Sequence, residues 1–466
     1  MPTGNRVLPV AAIRHPGHDA AGQQGAVRMA ATIDSSVVDA PRLLDRLHAL
    51  DLLRGIALVG VMLMNIPYMG NSWLLYQPQT PFSWRSPDWL AFMISDVTIE
   101  GSARCIFSML FGAGVLLITS RDGSFDRPIR TADVFFRRNL GLIALGLVNI
   151  GLLLWVGDIL FFYGLAGLFL FAFRKLSPRW LLAIAIPVIV LQSLPDLLAS
   201  ESGLDAMRRA PAIEVLQARH VPLSDDQQAI LDKKKQVVTA NHPAPADMAR
   251  EAKSRLAGTY PDHSATAFST WLAVQMGGVR PFVTFGETLG AMLFGMALFK
   301  WGVLSGRAPP GVYWAMLLLG YPIGWASRIL VLQSELAHNF VMATDWFPLT
   351  YELHRYAVAF GHIGLVMLLF RANLWGFVGR GFQALGRMAL TNYLAQSAVA
   401  AVLFYGLGWY GKLGLAQLAE LGLAVIAVQM IVSALWLGVC AFGPVEWLLR
   451  SVSYGRLQPW WKSKPI

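Results

Sequence analysis

Two histidines in one apolar stretch are the residues best suited to acid–base chemistry. His354 and His362 are eight residues apart, about two helical turns, so they share one face of a predicted membrane helix. His354 stands at the mouth of that helix, where it can accept the proton of an attacking hydroxyl or amine, and Arg355 beside it can stabilise a developing oxyanion. We therefore predict His354, Arg355 and His362 as catalytic candidates. His362 lies deeper, and a buried histidine held by hydrogen bonds is the alternative for it.

Asp158 is the fourth catalytic candidate. It follows Gly157 in a tight reversal between two apolar stretches, so its carboxylate can cap the next helix by accepting from free backbone N–H groups. The other interpretation places it at the floor of a cavity, where it orients a partner base. Asp96, Glu100 and Arg104 recur at four-residue spacing before another span, which predicts a charged stripe at a cavity mouth or a solvated ladder.

A second set of residues suits the phosphates of an anionic cofactor. The stretch LHALDLLRGIALVGVMLMNIPYM at 47–69 is typical of a membrane span, with Asp51 and Arg54 on one face near its start. A charge in lipid costs roughly 2.5–3.5 kcal/mol on insertion scales, so this pair marks a polar site or an ion pair that fixes orientation. The segment GRMALTNYLAQS at 386–397 forms a second polar notch, or holds neighbouring helices together. The predicted cofactor-binding residues are Asp51, Arg54, Arg137, Arg138, Arg387 and Asn392.

The composition is that of an integral membrane protein. Of 466 residues, 55% are hydrophobic and only 14% are charged, against about 25% charged residues in soluble domains. The net charge of +10 comes from Lys and Arg in short loops between spans, as the positive-inside rule requires, so nucleic acid is excluded as a partner. Cys105 and Cys440 lie in apolar runs and no HExxH spacing occurs, so neither a disulfide framework nor a metal site is predicted.

About ten membrane spans must position these side chains, which predicts an all-α polytopic membrane helical bundle with one soluble insertion. The Lys- and Arg-rich short loops all fall on one side if both termini are cytoplasmic. The approximate cores of the spans are 52–69, 102–119, 139–156, 158–173, 180–198, 282–300, 312–332, 353–371, 388–409 and 419–442.

The chain divides into five predicted regions. Residues 199–264 mix charges with several prolines and lack a long apolar run, which indicates a soluble segment between two five-span halves. The regions are a disordered N-terminal tail at 1–46, a first membrane half at 47–198, an extracytoplasmic insertion at 199–264, a second membrane half at 265–445 and a basic cytoplasmic tail at 446–466.

Several of these segments together resemble a known family. The LDLLRG opening, FSMLFGAGVLL at 107–117, the block from 137 to 160 that ends in GDIL, GRMALTNYLAQS, and GPVEWLLRSVSYGRLQP at 443–459 resemble the YeiB-like family of bacterial inner-membrane proteins. The resemblance covers roughly residues 44–462. It implies a multi-pass protein of the bacterial inner membrane, in contact with membrane lipid.

The YeiB-like family is similar to a wider superfamily of transmembrane acyltransferases, which includes heparan-α-glucosaminide N-acetyltransferase. This similarity implies transfer of an acyl group from cytosolic acyl-CoA, as co-substrate rather than tightly bound cofactor, to an extracytoplasmic glycan or lipid acceptor. The shared opening is Asp51, Arg54 and Gly55. Relatives often have a histidine where this chain has Asn149, and asparagine cannot act as a general base, so His354 or His362 would have to take that role.

Three functions stay open on the sequence alone. They are acyl transfer, transport or lipid handling along a path of ionisable residues, and a binding or structural role in which the charges only pair with one another. Acyl transfer is favoured if Asp51, Arg54, Arg138 and Arg387 meet at one mouth while Asp158, His354 and Arg355 meet opposite it. A homo-oligomer also remains open.

Overall fold

The computed structural model describes residues 48–71, 85–120, 128–241, 244–337 and 347–462, and in these residues the fold is helical throughout. Within the described residues, the β-structure is limited to one isolated antiparallel bridge between Cys440 and Trp461. The tail predicted as disordered, 1–46, lies outside the described residues. The predicted all-α membrane bundle is confirmed.

Sixteen α-helices are described, in chain order α1 (His48–Gly70), α2 (Pro87–Ile94), α3 (Ser102–Ser120), α4 (Pro128–Gly151), α5 (Leu160–Phe173), α6 (Pro178–Ala218), α7 (Asp225–Asn241), α8 (Pro245–Leu256), α9 (Tyr260–Gln275), α10 (Arg280–Lys300), α11 (Pro310–Ala337), α12 (Phe347–Arg371), α13 (Gly376–Arg387), α14 (Ala389–Ala400), α15 (Leu415–Val439) and α16 (Pro444–Tyr454). Short π-helical turns at Ser95–Ile99 and Ala401–Gly406 precede α3 and follow α14.

Eight helices in the described residues are long and apolar enough to cross a membrane, and a bent pair makes a ninth. The bent pair joins α13 to α14 at an angle of 81°. One of the ten predicted spans, 158–173, is not among these nine. It corresponds to α5, which has 14 residues and so is about 21 Å long, less than the hydrocarbon thickness of about 30 Å. It nevertheless begins beside Asp158 and ends before Arg174, whose carbonyl accepts from Lys300 at the end of α10 (2.8 Å).

The helix ends fall on two sides of the bundle. We call the side on which α1 begins side 1, and the side on which α1 ends side 2. On side 1, the backbone of Asp51 lies against Gly386 at the end of α13. On side 2, the N–H of Gly411 donates to the carbonyl of Gly70 (2.8 Å). The cytoplasmic location of side 1 and of both termini remains a prediction from the loop charges.

Three predicted boundaries fall inside helices, and one of them, between 264 and 265, lies within α9. The helix α6 has 41 residues and continues without a break past 198, so the first part of the predicted insertion extends a membrane span. The predicted basic tail starts within α16, whose Leu449 is buried against Gly141 of α4. Residues beyond α16 return to α15, where Lys462 donates from its backbone to the Val439 carbonyl (3.1 Å).

Close backbone contacts through glycine hold the membrane helices together. A Cβ added to Gly112 of α3 would overlap the Met292 carbonyl of α10, and one added to Gly295 of α10 would overlap the backbone of Met109. Small residues allow helices in lipid to approach in this way, because packing rather than a hydrophobic driving force holds them together. The core that results contains the middle of α3, α10 and α12.

Candidate functional site

Two cavities lie at opposite ends of the bundle and meet at one side chain. The larger, about 970 Å³, lies on side 2 among the ends of α1 and α11, the middle of α6 and the starts of α3, α5, α10 and α12. The smaller, about 330 Å³, lies on side 1 among α3, α4, α14 and α16. The buried side chain of Tyr163 lines both cavities.

The side 2 cavity is lined by an excess of carboxylates. Seven carboxylates and three guanidiniums line it. Arg355 pairs with two of these carboxylates, and when it is counted as a fourth guanidinium the carboxylates still exceed the guanidiniums by three. The carboxylates are Asp96, Glu100, Asp158, Asp196, Glu287, Glu335 and Glu352. The guanidiniums on the cavity wall are Arg104, Arg280 and Arg328.

Arg328 of α11 joins two of these carboxylates. It donates to both oxygens of Asp96 (2.7 Å each) and to Glu335, about two turns later in its own helix (3.1 Å). The pair with Asp96 is bidentate, the geometry in which a guanidinium binds a carboxylate most strongly. Asp96 lies in a π-helical turn, and Gly101 then adopts a left-handed backbone (φ 68°), so the stripe predicted from 96 to 104 is not one regular helix. Asp96, Glu100 and Arg104 nonetheless line the same cavity.

Glu287 of α10 lies between two arginines. It accepts from Arg355 of α12 and forms an ion pair with Arg104 of α3 (2.6 Å). Arg355 also donates to Glu352, one turn earlier in α12 (2.8 Å). Arg355, predicted as catalytic, is therefore almost fully buried in a charge network that joins three helices, and its guanidinium donates to two carboxylates.

His354 lines the side 2 cavity, and one of its ring nitrogens has no hydrogen-bond partner of good geometry among the described residues. Its Nδ1 lies 3.0 Å from the carbonyl oxygen of Gly324, which can only accept, so Nδ1 carries the proton and Nε2 carries the lone pair of the neutral ring. Nε2 is buried and has no hydrogen-bond partner of good geometry in the described residues. The backbone of Asp96 also lies within hydrogen-bonding reach of the ring. This is the tautomer that a general base needs.

His362 has both ring nitrogens in hydrogen bonds. Nδ1 lies 2.7 Å from the hydroxyl of Tyr321, and Nε2 lies 2.8 Å from the carbonyl oxygen of Thr98. It does not line the side 2 cavity. His362 is therefore a hydrogen-bonded residue outside this cavity, and its catalytic role stays a prediction.

Asp158 both caps α5 and lines the side 2 cavity. One carboxylate oxygen accepts from the backbone N–H of Phe161 (2.8 Å), which is the predicted capping bond. The other accepts from the side chain of Asn149 (2.8 Å) and, at 3.4 Å, from the hydroxyl of Tyr393. Asn149 therefore donates a hydrogen bond that orients the Asp158 carboxylate, and the two residues form a buried pair.

A layer of tyrosines separates the two cavities. The Tyr163 hydroxyl lies 2.6 Å from that of Ser108, and Ser108 lines only the side 2 cavity. Tyr393 lines only the side 1 cavity, yet its hydroxyl reaches Asp158 on the other side of the layer. The partition between the cavities is thus about one side chain thick at Tyr163.

The side 1 cavity is basic and otherwise mostly apolar. Four arginines and one carboxylate line it, together with aromatic and aliphatic side chains such as Phe111. The charged residues are Arg54, Arg138, Arg387, Arg450 and Glu446. One guanidinium nitrogen of Arg138 is buried without a hydrogen-bond partner in the described residues, and its carbon lies 5.3 Å from the centre of the Phe111 ring.

Two of these charged residues were missed by the sequence analysis. Glu446 of α16 accepts from the backbone N–H groups of Leu390 (2.7 Å) and Thr391 (3.1 Å), so it caps the start of α14. Burial raises the pKa of Glu446, although its hydrogen bonds with Thr391 act against that shift. Arg450 lies one turn later on α16. The signal available was the acid–base spacing in PVEWLLR, which at i and i+4 shares one helix face.

The other predicted cofactor-binding residues lie outside the side 1 cavity. Arg137 is exposed and pairs with Asp133 of its own helix (2.9 Å). Asn392 is buried and donates to Ser433 of α15 (2.9 Å), which is the helix-joining role left open for it. Asp51 accepts from Arg54 (3.0 Å) and so positions a cavity residue without lining the cavity itself.

Close contact between α1 and α13 holds Arg54 and Arg387 at one cavity. A Cβ on Gly55 would overlap the carbonyl oxygen of Phe382, and a Cβ on Gly386 would overlap that of Asp51. Glycine at both positions lets the two helices cross at backbone contact. The arginine next to each glycine is thereby brought to the same wall.

Comparison with known proteins gives one family and three relatives. The family described as "Protein of unknown function (DUF418)" matches residues 298–456. The chain is 28% identical over 426 residues to "Uncharacterized protein YxaH" of Bacillus subtilis (strain 168), covering 89% of this chain and 96% of that protein. It is 25% identical over 438 residues to "Uncharacterized protein YeiB" of Escherichia coli (strain K12), covering 88% and 97%. A 101-residue segment is 37% identical to "Uncharacterized 39.9 kDa protein in amylase 3'region" of Bacillus acidopullulyticus, covering 21% and 28%.

Proposed function

Because this chain is a YeiB-like multi-pass membrane protein that carries a DUF418 domain, we propose that it is an acyltransferase working across the membrane. It would take an acyl group from acyl-CoA on side 1 and pass it to an acceptor on side 2. The observation that carries this proposal is the pair of cavities of opposite charge that meet at Tyr163. The link to the acyltransferase superfamily is a resemblance in sequence and supports the same reaction.

The side 1 cavity suits the acyl-CoA. Guanidiniums bind phosphate oxygens through parallel charge-assisted hydrogen bonds, and four of them line this cavity around an apolar interior. Its volume is at the lower end of the range of about 300–1,000 Å³ for ligand sites, which suits the acyl group and part of the pantetheine arm. The nucleotide would then stay at the mouth, near the exposed Arg387.

The side 2 cavity suits the acceptor and the proton transfer. Nε2 of His354 takes a proton from the acceptor's hydroxyl or amine, whose lone pair attacks the thioester carbonyl as the C–S bond breaks. The CoA thiolate leaves on side 1 and takes up a proton there. Arg328 and Arg355 bind carboxylates, so the oxyanion would take its hydrogen bond from the layer between the cavities. There the Tyr163 hydroxyl would exchange its contacts with Ser108 and with the carbonyl of Arg104 for the oxyanion.

Transport is the second candidate, because two cavities in line also describe a closed path through a membrane. The layer at Tyr163 would then be a gate rather than a reaction site. The two candidates differ in one outcome, since a transporter leaves the thioester intact. A purely structural role is disfavoured because the charged groups pair between distant helices around cavities, as Arg328 does with Asp96.

The two histidines provide the test of the acyltransferase proposal. Purified protein in lipid nanodiscs is supplied with radiolabelled acetyl-CoA and a mixture of sugars, amino sugars and membrane lipids. We expect His354→Gln to lower kcat about a hundredfold or more, the usual effect of losing a general base. His362→Gln should keep kcat within a few-fold and lower Tm instead, since it removes hydrogen bonds in the core.

Two results would contradict the proposal in different ways. Wild-type kcat in His354→Gln would remove His354 from the mechanism while leaving acyl transfer in place. Acetyl-CoA that is neither cleaved nor transferred by the wild-type protein, with any acceptor in the mixture, would reject acyl transfer and favour transport.

A further inference from the structure

The helix α13 has both of its ends on side 1. The helix before it, α12, begins at the side 2 cavity, so Arg371 at the end of α12 lies on side 1, and α13 starts five residues later. At the other end of α13, Gly386 contacts the backbone of Asp51 near the start of α1. Because both ends are on one side, α13 lies along that side for about 18 Å, the length of its 12 residues. The helix α14 leaves it at an angle of 81°.

One face of α13 is packed against the bundle, and the other is open, apolar and basic. On the packed face, a Cβ added to Gly381 would meet Met430 of α15. On the open face, Phe377 is 76% exposed. Arg380 follows Phe377 by three residues and precedes Arg387 by seven, so these three side chains share one face of the helix. Both arginines are exposed.

The charge and the orientation of this face favour an anionic lipid as its partner. A helix that lies in the membrane interface buries apolar side chains among the acyl chains, while its Lys and Arg attract anionic head groups. Side 1 is the side that the loop charges predict to be cytoplasmic, and the cytoplasmic leaflet is the one with a negative surface potential. A second copy of this chain is less suitable, because a symmetric contact through this face would bring Arg380 close to its own counterpart.

From these observations we infer that α13 binds an anionic phospholipid of the side 1 leaflet. Arg380 donates to the phosphate of the head group, and Phe377 packs on the acyl chains together with Leu374, a residue 69% exposed just before the helix. Arg387, on the same face, also lines the side 1 cavity, so the lipid lies beside the mouth of that cavity. Lipid binding at α13 requires no acyl transfer, so it can be measured independently of the proposed function.

The test measures which lipid contacts α13 in the purified full chain in nanodiscs. The two native cysteines, Cys105 and Cys440, are buried, so Val378→Cys on the open face can be labelled selectively with a fluorophore. Brominated phosphatidylglycerol and brominated phosphatidylcholine quench the fluorophore on contact, and competition between them gives the relative affinity of α13 for the two head groups. We expect phosphatidylglycerol to be preferred, and the preference to fall as salt rises, because salt screens charge attraction.

Variants of the labelled protein tie the preference to Arg380. We expect Arg380→Gln to lower the preference for phosphatidylglycerol about fivefold, the usual contribution of one basic side chain near an anionic surface. Arg380→Glu should lower it further, because a carboxylate repels the phosphate. Arg307→Gln is the control, since it removes an exposed arginine from the turn between α10 and α11, on the same side but outside α13, and it should leave the preference unchanged.

Three outcomes would overturn the inference. Fluorescence that neither brominated lipid quenches would show that α13 does not contact the bilayer. Equal quenching by the two lipids would show that α13 does not recognise the head-group charge. Equal losses of preference in Arg380→Gln and Arg307→Gln would assign the attraction to the general charge of side 1. A preference for phosphatidylglycerol in a protein that never cleaves acetyl-CoA would retain the lipid site and reject acyl transfer, so the two proposals fail separately.

Discussion

At the scale of single residues, two adjacent arginines of α4 have different environments. Arg138 lines the side 1 cavity with one guanidinium nitrogen unpartnered among the described residues, whereas Arg137 is exposed and pairs with Asp133. The sequence predicted both as phosphate-binding residues. Their adjacency in the sequence could not decide between them, because successive residues of a helix point about 100° apart and only the position of α16 sets which face is enclosed.

These neighbours give a matched pair for testing cofactor binding. We expect Arg138→Gln to raise KM for acetyl-CoA about tenfold, the loss of roughly one charge-assisted hydrogen bond, with a small change in kcat. Arg137→Gln removes the same charge one residue away and should leave KM within about twofold. Steady-state kinetics on both purified variants are the measurement, and an equal rise of KM in both would mean that general surface charge, rather than this cavity, attracts the substrate.

The histidines show where residue-level prediction succeeded and where it stopped. Their spacing placed His354 and His362 on one helix, as found. It could not say which one has a free nitrogen, because that depends on Gly324, Tyr321 and Thr98, which lie on other parts of the chain. Glu446 and Arg450 were missed for a related reason, since only the folding of α16 onto α4 brings them to the cavity.

At the scale of the elements, the crossing of α1 and α13 builds the side 1 wall. Its two glycines, Gly55 and Gly386, lie in motifs that the sequence analysis had singled out, LDLLRG and GRMALTNYLAQS. The pattern could indicate that these segments matter. It could not show that the reason is backbone contact, because that contact joins residues more than three hundred positions apart.

This crossing predicts a large effect from one methyl group. Gly55→Ala would push against the Phe382 carbonyl, so we expect it to lower the free energy of unfolding by about 1–3 kcal/mol, the usual cost of overpacking. Gly438→Ala of α15 meets nothing within 4 Å and should change it by no more than about 0.5 kcal/mol. Thermal unfolding of both variants in one detergent makes the comparison, and similar Tm values for the two would mean that α1 and α13 are not in backbone contact.

Apolar length predicted most spans but not their exact ends. The helix α6 continues into the predicted insertion, and α5, predicted as a span at 158–173, is a helix of only 14 residues. Both differences arise from tertiary contacts that hydropathy does not contain. The short α5, for example, is anchored by Asp158 at its start and by the contact of Lys300 with the carbonyl of Arg174 beyond its end.

At the scale of the whole molecule, the two sides of the bundle carry cavities of opposite charge. The basic cavity lies on the side where α1 begins, which the positive-inside rule predicts to be cytoplasmic, and the acidic cavity lies opposite. On the sequence alone, acyl transfer depended on such a separation. Arg54, Arg138 and Arg387 line one cavity and Asp158 and His354 the other, whereas Asp51 and Arg355, named in the same condition, line neither. What the sequence could not give was the single layer at Tyr163, which makes transfer between the cavities geometrically reasonable.

Transfer across the membrane is tested most directly in sealed inside-out vesicles from cells that express this protein. Acetyl-CoA labelled in the acetyl group is added outside, where it cannot cross the bilayer, and the label inside the vesicles is counted after washing. We predict that label accumulates inside while free CoA stays outside, that Arg138→Gln lowers the rate and that Arg137→Gln does not. Label that never exceeds the amount found with His354→Gln, or that stays entirely outside, would contradict the account.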